Sequence, residues 1–183
     1  MQTGETHIKA LITGCVHKDR KAQELLYRNY YRSMMNLCLR FCNNEADALG
    51  VLNAAFLRVF THISRYDEGK ASIYTWIRSI VVKEALSFLN HSKLRFTGAT
   101  IEEADQLQVE PEVFEKIKEA DLLALVRKLP PSTMTVFNLF VMEGYSHREI
   151  AGMLSISEGT SKWHLNDARK KLQAMILKPH ANN

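Results

Sequence analysis

The chain has 183 residues, 46% hydrophobic and 24% charged, the balance expected of an ordinary globular protein rather than a fibrous or disordered one. Eight glycines and four prolines are too few for a strand-and-turn architecture, and no apolar run approaches the roughly 20 residues that cross a bilayer. The net charge of +4 is unevenly spread: residues 1–98 carry 14 basic and 8 acidic side chains, residues 99–121 carry 2 and 8, and residues 122–183 carry 8 and 4. Two basic blocks around an acidic connector suit a polyanionic partner. The polar start, Met1 to Glu5, holds no signal-peptide core, so the chain is expected in the cytoplasm without membrane insertion. Cys15, Cys38 and Cys42 form no C-x-x-C pair and have no histidine at ligand spacing, which predicts buried, reduced thiols.

In chain order, a short helix precedes Lys18. From Lys21 to Phe41 apolar residues recur at helical spacing: Leu25, Leu26, Tyr30, Met34, Leu37, Cys38, Phe41. Asn43-Asn44 marks a helix end or turn, after which Leu49, Leu52, Phe56, Val59 and Ile63 form a second stripe. Tyr66 to Lys70 is a polar loop, and Ser72 caps a third helix with Trp76, Ile77, Ile80, Val81, Leu86 and Leu89 facing inward. Periodicity fades after His91, where a Gly, a Pro and the acidic run predict a linker. Helix resumes near Val113 and runs to Lys128. Pro131 opens the next helix, which closes at Glu143-Gly144 with Gly144 as a left-handed cap. The predicted fold is all-α: two small helical domains, 1–95 and 116–183, joined by an acidic linker at 96–115, the C-terminal domain a helix-turn-helix.

Residues 146–175 carry the strongest signal. Ser146-His147-Arg148-Glu149 is an S-x-x-E capping box, opening a short helix with Ile150, Ala151 and Leu154 on one face. Ser155-Ile156 is a tight turn, and Ser157 caps a second helix. Two short helices joined this way define a helix-turn-helix. In the second helix Ser161, Leu165, Ala168 and Leu172 form the inner stripe, which turns Gly159, Thr160, Trp163, Asn166, Asp167 and Lys170 outward, flanked by Lys162, His164, Arg169 and Lys171. An indole on that face suits stacking or apolar contact in a major groove. Asn166 can pair with adenine and Lys162 with guanine acceptors or phosphate. Arg169, Lys170 and Lys171 suit phosphate contacts that set register.

These residues also carry a resemblance. Gly144 to Ala151 followed by Ile156 to Lys162 is similar to the fourth conserved region of extracytoplasmic-function (ECF) sigma factors, and Leu25 to Tyr31, Ala55 to Phe60 and Tyr74 to Ile77 resemble that family's second conserved region. The resemblance covers nearly the whole chain outside the linker. It implies a factor that binds core RNA polymerase and then promoter DNA, with an anti-sigma factor as a further candidate partner. The helix holding Gly50, Asn53, Ala54 and Arg58 would dock on the clamp helices of the polymerase's largest subunit. The loop Tyr66 to Ser72 and the helix after it would melt and hold the −10 element, through Tyr66, Lys70, Tyr74, Arg78 and Lys83. The terminal helix-turn-helix would read the −35 element through Gly159, Thr160, Lys162, Trp163, His164, Asn166, Arg169 and Lys170.

The sequence departs from that pattern where the family usually has an acidic residue (Gly50) and a Gln-Glu pair (Asn53-Ala54), and also at Lys83, often Asn, and Asp167, commonly Arg. Weaker docking is therefore the expectation, and a stand-alone helix-turn-helix regulator the alternative reading. No P-loop, metal-ligand cluster or nucleophile–base pair appears, so neither enzymatic activity nor a cofactor is expected.

Overall fold

The computed structural model describes residues 2–91 and 119–177, with side chains for 7–89 and 121–177. The chain divides into two compact units, Met1–Ser92 and Lys93–Asn183. The expected linker, 96–115, and the helix start near Val113 lie outside the described residues.

The first unit packs four helices, α1 (Gln2–Val16), α2 (Arg20–Phe41), α3 (Glu45–His62) and α4 (Ile73–His91), with a 3₁₀ turn (Ile63–Arg65) closing α3. The α1–α2 corner is tight. Lys18 takes a left-handed φ of 61°, and the Asp19 carboxylate caps α2 by accepting from the Lys21 and Ala22 amides. A methyl group on Gly14 would lie 2.7 Å from Ala22 Cβ, so only glycine fits that corner without displacement. Asn44 caps α3 by accepting from the Asp47 amide.

The core is formed by Leu26, Met34, Leu37, Cys38 and Phe41 of α2, Leu52, Phe56 and Val59 of α3, and Ile77, Val81 and Val82 of α4. Leu25 and Leu49, expected in the core, are exposed (39% and 40%) because Leu26 in α2, and Ala48, Val51 and Leu52 in α3, take the inward arc instead. Trp76, also expected inward, is half-buried at the mouth of a groove between α3 and α4. Burial pushes the Cys38 thiol up to about 12 and Cys42 to about 11, which keeps both protonated.

Gly50 faces outward in mid-α3, and a methyl group there would meet nothing within 4 Å. Gly50→Ala is therefore expected to raise the unit's stability by about 1 kcal/mol through helix propensity alone. A thermal melt that falls on substitution would contradict this.

The second unit holds α5 (Glu119–Val126), α6 (Pro131–Phe137), α7 (His147–Leu154) and α8 (Glu158–Leu177). Pro131 opens α6 as expected, but its helix does not run evenly to Gly144. It widens into a π-helical turn over Asn138–Met142, with the Glu143 amide reaching back five residues to the Asn138 carbonyl. Gly144 then reverses the chain at φ +78°. Ile150 and Leu154 of α7, Leu165, Ala168 and Leu172 of α8, and Val136, Phe137 and Leu139 of the α6 segment close the core.

Candidate nucleic-acid interface

The helix-turn-helix is set by local chemistry. The Ser146 hydroxyl accepts from the Glu149 amide while the Glu149 carboxylate accepts from the Ser146 amide, completing the capping box. The Ser146 hydroxyl also donates to that carboxylate at 2.7 Å, and this bond, with the one from the Ser146 amide, holds the Glu149 carboxyl below its ordinary value. Ser155 makes the turn in the left-handed region, at φ 55°. The Ser157 hydroxyl accepts from the Thr160 amide at 2.9 Å, starting α8. Ser161 is fully buried, and its hydroxyl contacts His147 Nδ1 at 2.9 Å, tying α8 to α7. On its other side the His147 ring stacks on Phe140 of the π-helical turn, centroids 4.5 Å apart.

The inner stripe of α8 is where the sequence put it, but the buried arc is wider. His164, expected beside the outward face, is 5% exposed. Its Nδ1 lies 3.1 Å from Thr133 Oγ1, and that hydroxyl donates to Asp167 Oδ2 at 3.0 Å. A hydroxyl carries one proton, so with Asp167 as its acceptor Thr133 receives from His164 Nδ1. Asp167, also expected outward, is half-buried and ion-paired with Lys171. The cause is α6, which packs along this flank of α8 and presents Thr133 to both residues. An aspartate in place of the family's arginine therefore belongs to an α6–α8 strut.

The face left open is narrower: Gly159, Lys162 and Lys170 are exposed, with Thr160, Asn166 and Arg169 half-buried beside them. Trp163 is half-buried too, its ring edge-on to His164 at 4.9 Å.

Burial holds the His147 and His164 imidazoles below their ordinary 6.5. Lys162 and Arg169 reinforce this at His147, while at His164 Asp167 opposes it and Lys171 adds to it. Below pH 6.5 the unfolded chain takes up protons that the folded unit resists. Stability must then fall with pH until the depressed folded values are reached. The melting midpoint of the second unit, read from Trp163 in a Trp76→Phe chain, is expected to drop between about pH 7.5 and about pH 5.5. A flat profile would contradict buried neutral imidazoles.

In the first unit the loop before α4 is ordered by its own bonds. The Tyr66 hydroxyl donates to the Ala71 carbonyl at 3.0 Å, and Asp67 accepts from the Gly69 amide at 2.9 Å. Lys9 of α1 ion-pairs with Glu68 at 3.0 Å. Lys70 is exposed beside Asp67.

The five residues expected at the −10 element do not gather in one place. The Tyr66 ring packs against Trp76, and Lys83 lines the α3–α4 groove with Trp76. Tyr74 and Arg78, one turn apart on α4, lie on another side of that helix, where Tyr74 leans toward Tyr30 of α2 at 6.2 Å.

The expected docking residues also divide. Gly50 and Asn53 are exposed and Ala54 half-buried, with Asn53 Oδ1 accepting from the Tyr27 hydroxyl at 3.0 Å. Arg58, by contrast, is held across the groove by Glu84 of α4 at 2.5 Å. Sequence reasoning missed Leu57, 68% exposed on the same face. The stripe Leu49, Leu52, Phe56, Val59 and Ile63 gave Leu57 no place, and no local signal marks an exposed leucine.

Among the described residues no group of acidic, histidine or cysteine side chains could hold a metal ion, and no helix is long and apolar enough to cross a membrane.

Residues 26–95 match the family description Sigma-70 region 2, and residues 119–172 match Sigma-70, region 4. The ECF RNA polymerase sigma factor SigM of Mycobacterium tuberculosis is 31% identical over 173 residues, covering 91% of this chain and 83% of that protein. The ECF RNA polymerase sigma-E factor of Haemophilus influenzae is 24% identical, covering 92% and 94%. Among solved structures, the sigma factor RpoE in complex with the anti-sigma factor NepR from Bartonella quintana is similar in fold (TM-score 0.53, 16% identity, 86% of this chain and 97% of that one). So is CnrH in complex with the cytosolic domain of CnrY (TM-score 0.50, 16% identity, 91% and 94%).

Proposed function

The chain belongs to the sigma-70 family, among the ECF RNA polymerase sigma factors, and we propose that its two helical units divide promoter recognition between them. The chain directs transcription initiation by binding core RNA polymerase and promoter DNA. It acts as a specificity subunit without chemistry of its own, in the cytoplasm.

The observation that carries this reading is the pair of matched regions in one chain, each with a surface suited to its role. In the second unit, α8 presents Lys162, Asn166, Arg169 and Lys170 beside Gly159, donors fitted to base edges and phosphates of the −35 element. Thr160 and Trp163 sit at the edge of that face. His164 supports α8 from within and is not proposed as a DNA contact. In the first unit, Tyr66, Lys70 and Lys83 border the loop and groove proposed to hold the −10 strand. Tyr74 and Arg78 stand on a separate face of α4, for a different length of the strand.

The docking face of α3 carries Leu49, Gly50, Asn53, Ala54 and Leu57, with no charge over two turns. Apolar contact at Leu57 takes the place of the ion pairs that acidic residues would supply. An anti-sigma factor covering this face is the proposed regulatory partner.

The test is run-off transcription by core enzyme over a pool of random promoters, with and without this chain. Initiation from a consistent set of sequences, only when the chain is present, is the expected result. Failure to form a complex with core at any salt concentration would sink the proposal. The uncharged docking face favours one competing reading, a stand-alone regulator, which predicts site-specific DNA binding without polymerase.

A further inference from the structure

Arg58, expected on the polymerase-facing surface of α3, also lines the groove between α3 and α4. Its Nε lies 2.5 Å from Glu84 Oε2. The carboxylate side chain is only 17% exposed, while the guanidinium side chain is 61% exposed. Both residues line the α3–α4 groove, a space of about 330 Å³ shared with His62, Arg65, Trp76 and Lys83. An ion pair lying flat on a surface would need no further account.

Three features make this pair different. The bond engages Nε, which leaves the two terminal nitrogens as a fixed fork matched to a phosphate or carboxylate. The groove is cationic, with Arg58, Arg65 and Lys83 against the single carboxylate of Glu84. Finally, Trp76 is half-buried in the wall and offers an aromatic surface to an unstacked base. Cations that track a backbone beside a stacking surface suit a single strand.

We propose that Arg58 is a backbone-phosphate ligand for the melted promoter strand, oriented into the α3–α4 groove by Glu84, which acts as a positioning residue. The inference rests on the sigma-factor reading given above and adds a residue and its partner to the DNA-binding surface.

The test uses this chain bound to core polymerase and a forked promoter DNA whose −10 strand is single-stranded. The decisive variant is the double substitution Arg58→Gln with Glu84→Gln, which keeps the net charge and leaves no buried carboxylate without its partner. Affinity for the fork is expected to fall about 10-fold. The slope of log K against log salt should shrink by about 0.7, the value of one single-strand phosphate contact. The complex with core should form as before. Arg58→Lys, which keeps the charge and loses the fork, should retain the slope with intermediate affinity.

A double variant with unchanged slope and affinity would overturn the proposal. So would one that loses core binding, because Arg58 would then be a docking residue. Wild-type affinity in Arg58→Lys would remove the role of the fork. If the unsubstituted chain gives core no hold on the forked DNA, the functional reading itself fails, before any variant is compared.

Discussion

Truncating Phe56 to alanine is expected to lower the stability of the first unit by about 3–5 kcal/mol. The ring is 2% exposed, and the edge-to-face Tyr27 ring lies 4.7 Å away. Domains of this kind are stable by only about 5–15 kcal/mol in total, so the loss is a large fraction. It reaches function because Tyr27 touches Phe56 with its ring and Asn53 with its hydroxyl. A cavity at Phe56 would therefore loosen the proposed docking face from beneath. Denaturant unfolding followed by Trp76 in a Trp163→Phe chain should show the shift, together with loss of the core polymerase complex. An unchanged midpoint would mean that the aromatic cluster contributes little.

Thr133→Val is the second large effect, about 2–4 kcal/mol in the second unit, although the two side chains are nearly the same size. The hydroxyl is buried and serves two partners, donating to Asp167 and accepting from His164. Valine removes one bond from each, and a bond lost at a buried polar group costs about 1–3 kcal/mol. Thr133→Ser restores the hydroxyl and should recover most of the loss. Unfolding read from Trp163 in a Trp76→Phe chain checks the energetics. Affinity of the polymerase complex for duplex −35 DNA checks whether α8 still presents its proposed reading face. If the Val and Ser variants behave alike, the strut is idle.

Much of this molecule was legible in its sequence because the signals were local. The S-x-x-E spacing at Ser146 and Glu149, Pro131 at a helix start and Gly144 at a reversal each act within a few residues. The inner stripe Ser161, Leu165, Ala168 and Leu172 followed from helical period alone.

What escaped was set by contacts far along the chain. His164 and Asp167 read as solvent-facing until Thr133, more than thirty residues earlier, is placed against them. The ion pair of Arg58 was not legible either, because nothing near it in sequence announces Glu84. The π-helical turn has no local signature either. Its Phe140 stacks on His147, a contact that no sequence spacing announces. Leu57 shows the converse limit, since a leucine 68% exposed looks no different in sequence from one in the core.

The α1–α2 corner bears on the loop ahead of α4 in a way its position does not suggest. With Gly14 pressed against Ala22, the spacing of the two helices there is set by a hydrogen atom. Helix α1 is a lever pivoted at that contact, and its Lys9 holds Glu68 in the loop ahead of α4. Any side chain at position 14 would tilt the lever and drag on a loop distant from it in sequence. The setting of the loop ahead of α4 is thus coupled to a single missing methyl group in the chain's first helix.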